Sequence, residues 1–159
     1  MAGLFLVVFI NTNVKAQEAN VSQKEFESTS DYAAKATAND RAIVKFGKFF
    51  PKASSESWSK TKNGFAVRFT SDNIQQLVFL TKHGNVIASI KYYSEKELPS
   101  DVRMTIRYAY PDFSIKSVRE INAENSTAYL ITIEDAKSWK TIRVVNGETD
   151  VYEDFKKAL

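Results

Sequence analysis

Apolar and polar residues alternate one by one along several short stretches of this chain. The clearest examples are residues 64–70 and 128–134. Alternation with a period of two predicts a β-strand with one buried face. Strands of this kind, separated by Gly, Asn and Ser turns, are predicted four times between residues 55 and 93 and four times between 114 and 155. The side chains expected to face the core are Phe65, Val67, Phe69, Tyr129, Ile131 and Ile133.

Two stretches have the spacing of amphipathic helices instead. The first extends from about Asp31 to Phe50, and Asn39 or Asp40 could cap a shorter helix within it. The second is predicted to begin with Ser100 as its N-cap. A proline follows each helix, and the residue before a proline resists the α conformation, so both helices are expected to end there.

The order of elements in the second half of the chain repeats that of the first. Pro51 and Pro111 each end a predicted helix, and the turns at Gly84 and Gly147 also correspond. A copied stretch of about 60 residues is typical of a duplicated supersecondary unit. We therefore predict an α+β fold of two tandem repeats, each a helix plus a four-stranded antiparallel meander, with the helices on one face of the sheet.

The chain begins with an apolar run at residues 4–10, and Val14 and Ala16 suit a signal-peptidase site. The run is too short to span a bilayer, which takes about 20 apolar residues. We predict a signal peptide over residues 1–16, a periplasmic or secreted mature protein, and no membrane insertion after removal of the leader. A buried N-terminal strand is the alternative. No Lys or Arg precedes the run, which leaves open a start upstream of Met1.

The rest of the chain divides into three parts. Residues 17–37 are a polar segment that leads into the first helix, residues 38–97 form the first repeat, and residues 98–159 form the second. The junction between the repeats is short, so we expect one compact body.

A set of short motifs follows the chain in a fixed order through both repeats. The positions that carry these motifs are Phe50, Pro51, Ala53, Trp58, Asn63, Gly64, Phe65, Val67, Phe69, Gly84, Leu98, Pro99, Val102, Tyr110, Pro111, Tyr129 and Gly147. Together they resemble the PepSY-like family of exported bacterial proteins, whose fold is similar to that of the β-lactamase inhibitor protein. The resemblance covers about residues 38–159. It implies the duplicated α+β fold and a location in the periplasm or outside the cell, and it implies no catalytic residue.

Composition excludes several classes of function. The chain has no cysteine, which excludes disulfides, thiol catalysis and cysteine-bound metal. Its net charge is +3 without a basic run, so a nucleic-acid partner is not expected. The only histidine, His83, lies in a predicted turn, and the acid pair Glu134-Asp135 lies in another. We therefore expect no enzyme activity, no catalytic residue, no metal and no cofactor.

The face of the sheet that does not contact the helices is the candidate binding surface. A mixture of apolar, aromatic and arginine side chains is typical of protein-binding patches, although sheets also leave such faces to solvent. We predict a non-enzymatic exported binding or regulatory module of the bacterial envelope, which binds an unknown protein or peptide through this face. The alternative is a structural or accessory subunit of an envelope assembly, joined through an edge strand or an oligomer whose state the sequence leaves open. The predicted binding residues are Arg68, Val78, Leu80, Lys91, Tyr93, Leu130, Thr132, Thr141 and Arg143.

Overall fold

The computed structural model describes Lys35 and residues 38–158. The described chain contains two α-helices, eight strands and one 3₁₀ turn at Glu95–Glu97. The predicted signal peptide and most of the polar segment lie outside the described residues. No described helix is long and apolar enough to cross a membrane. The elements are α1 (Asp40–Phe49), β1 (Ser54–Thr61), β2 (Gly64–Ser71), β3 (Ile74–Thr81), β4 (Val86–Tyr93), α2 (Ser100–Ala109), β5 (Ser114–Ala123), β6 (Ser126–Glu134), β7 (Ser138–Val145) and β8 (Glu148–Lys156).

All eight strands form one antiparallel sheet in the order of the chain, from β1 to β8. The predicted fold class, two tandem helix-plus-four-strand repeats, is therefore wrong. Strand β4 pairs with β5 from Ala88 opposite Ala123 to Tyr93 opposite Val118, so the sheet continues across the middle of the chain. Two separate meanders would leave β4 and β5 as unpaired edges, whereas the continuous sheet pairs their backbone groups. Alternation and turn residues in the sequence predict hairpins between consecutive strands, and they do not predict the pairing of β4 with β5.

Helix α1 begins at the predicted cap. The Asn39 side chain accepts a hydrogen bond from the backbone N–H of Ala42 at 2.8 Å, which satisfies one of the free donors of the first turn. The buried side of the helix packs on β1 to β3, where the Phe46 ring lies 5.2 Å from Trp58 and 5.1 Å from Phe69, edge to face in both cases. This aromatic cluster holds the helix against the sheet.

Helix α2 begins differently from the prediction. Pro99 occupies the N-cap position without a side-chain hydrogen bond, and Ser100 is the first helical residue. Val102 and Ile106 are buried on a second apolar cluster, which also contains Val118 and Ile142. All six side chains predicted to face the core belong to the two clusters or pack against them, as the alternation indicated.

Cross-strand pairing shows how the two clusters are connected. Phe69 lies opposite Gln76, Gln76 opposite Lys91, Lys91 opposite Glu120, and Glu120 opposite Tyr129, so these side chains share one face. We call it the core face, because it carries both apolar clusters. The opposite face, on which no described helix packs, is called the open face.

Candidate functional site

The centre of the open face is apolar. Leu77 lies opposite Ile90, and Ile90 lies opposite Ile121, so three strands contribute aliphatic side chains in one row. Leu130 on β6 is a fourth aliphatic side chain of this face, and it lies beside the row, opposite Arg119. Only 8% of Leu77 and 5% of Leu130 is exposed, so neighbouring side chains hide much of this row. The surface presented to a partner therefore depends on the residues around the row.

Five of the nine predicted binding residues lie on the open face. Arg68 lies opposite Leu77, which assigns it to this face. Leu130 lies opposite Arg143, and Thr132 opposite Thr141, which extends the face over β6 and β7. These five residues span from β2 to β7, so they belong to one surface but not to one compact contact site.

The other four predicted residues do not lie on the open face. Val78 and Leu80 are 0% and 1% exposed in the first core cluster, and Lys91 and Tyr93 lie on the core face. The parity assigned to β3 and β4 was wrong because residues 77–80 are all apolar and give no alternation to read. A register shift in the pairing of β3 with β4, after Phe79, adds a second source of error.

Tyr92 and Arg119 are exposed open-face residues outside the predicted set. Tyr92 and Arg119 lie directly opposite each other at the centre of the sheet, and Tyr92 is 37% exposed. Arg119 alternates with Val118 and Glu120, both of which point to the core face. That alternation was a usable signal for Arg119 once the direction of Val118 was known.

The open-face cations differ in their surroundings. Arg143 binds both carboxylate oxygens of Asp150, with Nε–Oδ1 and Nη2–Oδ2 distances of 2.9 and 3.0 Å. Lys116 forms an ion pair with Glu134, with an Nζ–Oε2 distance of 3.0 Å. Arg119 has neither a hydrogen-bond nor an ion-pair partner among the described residues. It is therefore the cation of this surface that is available to an external anion.

Arg119 also borders an open depression of about 530 Å³, which lies beside the last residues of β4 and the first half of β5. A bulge in β5, between Ile115 and Ser117, bends the strand at this point. The residues that line the depression are Tyr92, Tyr93, Ser94, Lys116, Ser117, Val118, Arg119 and Thr132.

A polar network occupies the core face between the two apolar clusters. The Glu120 carboxylate accepts hydrogen bonds from Lys91 Nζ at 2.8 Å, Tyr93 Oη at 2.7 Å and Asn122 Nδ2 at 2.9 Å. Thr127 Oγ1 in turn donates to Asn122 Oδ1 at 2.7 Å. Each member has a partner within the network, so it stabilises the sheet rather than presenting free groups to a ligand.

The electrostatics of this network favour the ionised carboxylate. Burial raises the pKa of Glu120, but the hydrogen bonds from Lys91, Asn122 and Tyr93 outweigh it, and the net pKa lies below 4.5. Burial, together with the hydrogen bond to Glu120, raises the pKa of Tyr93 far above its usual value of 10.0. Glu120 is therefore expected to be ionised, and Tyr93 neutral, at pH 7.

The other carboxyl groups with a resolved shift behave in the same direction. The pKa values of Glu56, Glu97, Glu134 and Asp135 all lie below their usual range. For Glu134 the first cause is the hydrogen bond from Lys157. The described residues contain no group of three or more His, Cys, Asp or Glu side chains placed to hold a metal ion.

Several solved structures have a similar fold. One is a BLIP-like protein (BLIP, β-lactamase inhibitor protein) from Bacteroides fragilis NCTC 9343. The match covers 74% of this chain and 85% of that protein's chain, with a TM-score of 0.58 and 15% identity. A DUF2874 family protein from Bacteroides uniformis ATCC 8492 matches 75% and 89%, with a TM-score of 0.58 and 12% identity. A candidate periplasmic protein from Bacteroides eggerthii DSM 20697 matches 75% and 88%, with a TM-score of 0.58 and 17% identity. No protein-family model and no curated protein matches the sequence. The chain therefore has a BLIP-like fold.

Proposed function

We propose that this protein is a non-enzymatic, exported binding module of the bacterial envelope, which binds a protein or peptide partner through the open face. The observation that carries the proposal is the combination of an apolar row with exposed Tyr92 and Arg119 on a face that no described helix covers. Tyr and Arg are the residue types most often responsible for binding energy at protein interfaces, together with Trp.

Trp139 and Phe155 extend the aromatic character of this face toward β8. They lie opposite each other, and both are exposed on their outer surface. Aromatic side chains bring a large apolar area at a low cost in conformational entropy, which suits a surface that binds a partner. An interface from Tyr92 to Phe155 would span β4 to β8.

Two observations support an extracytoplasmic location. The apolar run at residues 4–10 has the form of a signal peptide. A protein with the same fold from Bacteroides eggerthii is a candidate periplasmic protein. We propose the periplasm or the cell exterior as the location, and membership of the PepSY-like family as the origin of the motifs.

The electrostatics support a role other than catalysis. Acid–base catalysis needs a carboxyl group whose pKa is raised toward the working pH, usually by burial. Glu120 is the most enclosed of the carboxyl groups whose pKa is shifted, and three hydrogen-bond donors keep it ionised. The shifted carboxyl groups are therefore held by structural ion pairs and hydrogen bonds, which supports the proposal of a binding module.

The test uses two tyrosines in different positions. Tyr92 lies on the open face, whereas Tyr108 is 94% exposed on α2. Proteins crosslinked to the mature chain in a bacterial envelope extract would be identified, and the affinity of each purified candidate would be measured with Tyr92→Ala and Tyr108→Ala. We expect a loss of at least tenfold for Tyr92→Ala and little change for Tyr108→Ala, with crosslinks on β3 to β7. Crosslinks confined to the helices, or equal effects of the two variants, would refute the proposal.

A second candidate function is supported by strand β8. It is the last strand of the sheet, nine residues long, with exposed Val151 and Tyr152. Such an edge can accept a strand from another protein, as expected for an accessory subunit of an envelope assembly. Replacing both residues with lysine should abolish a stable complex observed by light scattering if this edge is the interface. Unchanged complex formation would exclude the edge.

A further inference from the structure

Arg119 occupies an unusual position for a long cation. It lies at the centre of an eight-stranded sheet, flanked by Tyr92 on β4 and Leu130 on β6, and no described carboxylate neutralises it. An arginine on an apolar surface has its stem packed and its guanidinium directed to solvent. Arg119 therefore lies between the depression, which it lines, and Ile121 of the apolar row, two residues along β5.

The lining of the depression is cationic. Lys116 and Arg119 both contribute to it, and no Asp or Glu residue does. The charge of Lys116 is offset by its ion pair with Glu134, so Arg119 is the residue of this lining with an uncompensated charge among the described contacts. Hydroxyl groups of Ser117 and Thr132, which lie opposite each other, supply additional hydrogen-bond donors. These features complement a single carboxylate.

We propose that Arg119 and this depression form a subsite that receives an Asp or Glu side chain of the protein partner. The proposal rests on the proposed function, and it specifies a carboxylate as the group that the partner places in this depression. The guanidinium would bind the carboxylate with two parallel hydrogen bonds, a geometry that lysine cannot reproduce. Tyr92 would contact the apolar residue that precedes or follows the acidic one.

The surroundings favour an acidic side chain of a protein over a small free anion. The depression is open to solvent, and Arg119, which lines it, is two residues along β5 from Ile121 of the apolar row. A small anion would therefore remain hydrated on one side and gain little from the apolar surface. A protein segment would cover the row and exclude water from the ion pair, which strengthens it.

The test uses a defined probe. A library of random dodecapeptides displayed on phage is selected against the folded, mature chain, and the affinities of the enriched peptides are measured. We expect enrichment of Asp or Glu beside an apolar or aromatic residue. Arg119→Glu should weaken these peptides at least tenfold, and replacing the peptide's acidic residue with arginine should restore binding to this variant. Arg119→Lys should recover only part of the affinity, because lysine lacks the planar fork.

The control is Arg41→Glu, which makes the same charge change on the exposed side of α1 and should leave binding unchanged. Peptides that lose affinity with Tyr92→Ala but not with Arg119→Glu would refute the carboxylate subsite and keep the open-face function. Peptides insensitive to both variants would refute the function itself. Thermal unfolding of each variant shows whether a loss of binding is a loss of folding.

Discussion

Lys91 and Glu120 form an ion pair across the central strands β4 and β5, with an Nζ–Oε1 distance of 2.8 Å. The pair lies on the core face, between the apolar clusters that anchor α1 and α2. Only 14% of the Glu120 side chain and 36% of the Lys91 side chain is exposed. Tyr93 on β4, a member of this network, also packs against the second apolar cluster. The network around Glu120 and this packing together join the two halves of the sheet on this face.

The first prediction concerns acid stability. The pKa of Glu120 is below 4.5 in the folded protein, so the unfolded chain binds the proton more readily in the interval between the two values. The stabilisation from Glu120 is therefore present above pH 4.5 and is lost as the pH falls through the lower folded pKa. We expect Glu120→Gln to lower the free energy of unfolding by about 2–4 kcal/mol at pH 7 and by clearly less at pH 3.

The measurement is urea denaturation of both proteins between pH 7 and pH 3. Glu56 and Glu134, whose pKa values are also lowered, are present in both, so the difference between the two curves isolates Glu120. A difference that stays constant from pH 7 to pH 3 would contradict the assigned pKa direction.

The second prediction concerns the hydrogen bond from Tyr93 to Glu120, with an Oη–Oε2 distance of 2.7 Å. Tyr93→Phe removes this donor, so we expect a destabilisation of about 1–3 kcal/mol and a rise in the pKa of Glu120, measured by NMR titration of its carboxyl carbon. Tyr129→Phe is the matched control. Tyr129 lies directly opposite Glu120 but donates no hydrogen bond to it among the described contacts, so its loss should leave that pKa nearly unchanged.

These contacts mark the limit of what the sequence could predict. The alternation in β2 and β6 is strong, and their core-facing residues were predicted correctly. In β4 the contrast is weak, because Lys91 and Tyr93 are amphipathic side chains on either side of Tyr92. Their face is set by the register in which β4 pairs with β5, which places Lys91 opposite Glu120. A single sequence does not show which strands pair.

The same reasoning explains the wrong fold class. Every turn that the sequence marks, such as Asn63-Gly64 and Asn146-Gly147, connects strands adjacent in the chain. The pairing of β4 with β5 passes over the 3₁₀ turn and α2, and no local signal specifies it. The pairing satisfies the backbone N–H and C=O groups of β4 and β5, which would otherwise lack partners along these edges.

The third prediction concerns the start of α1. Asn39 caps the helix through Oδ1, and its Nδ2 donates to the carbonyl oxygen of Lys82 at 2.6 Å. Asn39→Ala removes both bonds and should cost about 1–2 kcal/mol of unfolding free energy. Asn39→Asp retains the cap acceptor and loses only the bond to Lys82, so thermal unfolding should place it between the wild type and the alanine variant. An aspartate variant as unstable as the alanine variant would show that the cap contributes nothing.

The fourth prediction concerns a buried hydroxyl. Ser59 lies on β1 opposite Ala66, is almost fully buried, and its Oγ has no hydrogen-bond partner among the described residues. Burying such a group is costly, so Ser59→Ala should be neutral or stabilising by up to about 1 kcal/mol in chemical denaturation. Ser54→Ala is the comparison, because the Ser54 hydroxyl donates to the carbonyl oxygen of Thr70 at 3.1 Å and its loss should not stabilise. A clear destabilisation by Ser59→Ala would indicate a contact for this hydroxyl.

The last prediction separates two turns that correspond in the sequence. Gly84 and Gly147 both have a positive φ, of 78° and 83°, so alanine is strained by about 1 kcal/mol at either position. A Cβ at Gly84 would lie 2.7 Å from the Cα of Ala42, whereas a Cβ at Gly147 would meet nothing within 4 Å. The first turn is packed against α1, and the second is free of such a contact. Gly84→Ala should therefore cost about 1–3 kcal/mol more than Gly147→Ala in urea denaturation, because the hairpin must move away from the helix. Equal costs would mean that the turn at Gly84 does not hold α1 in place.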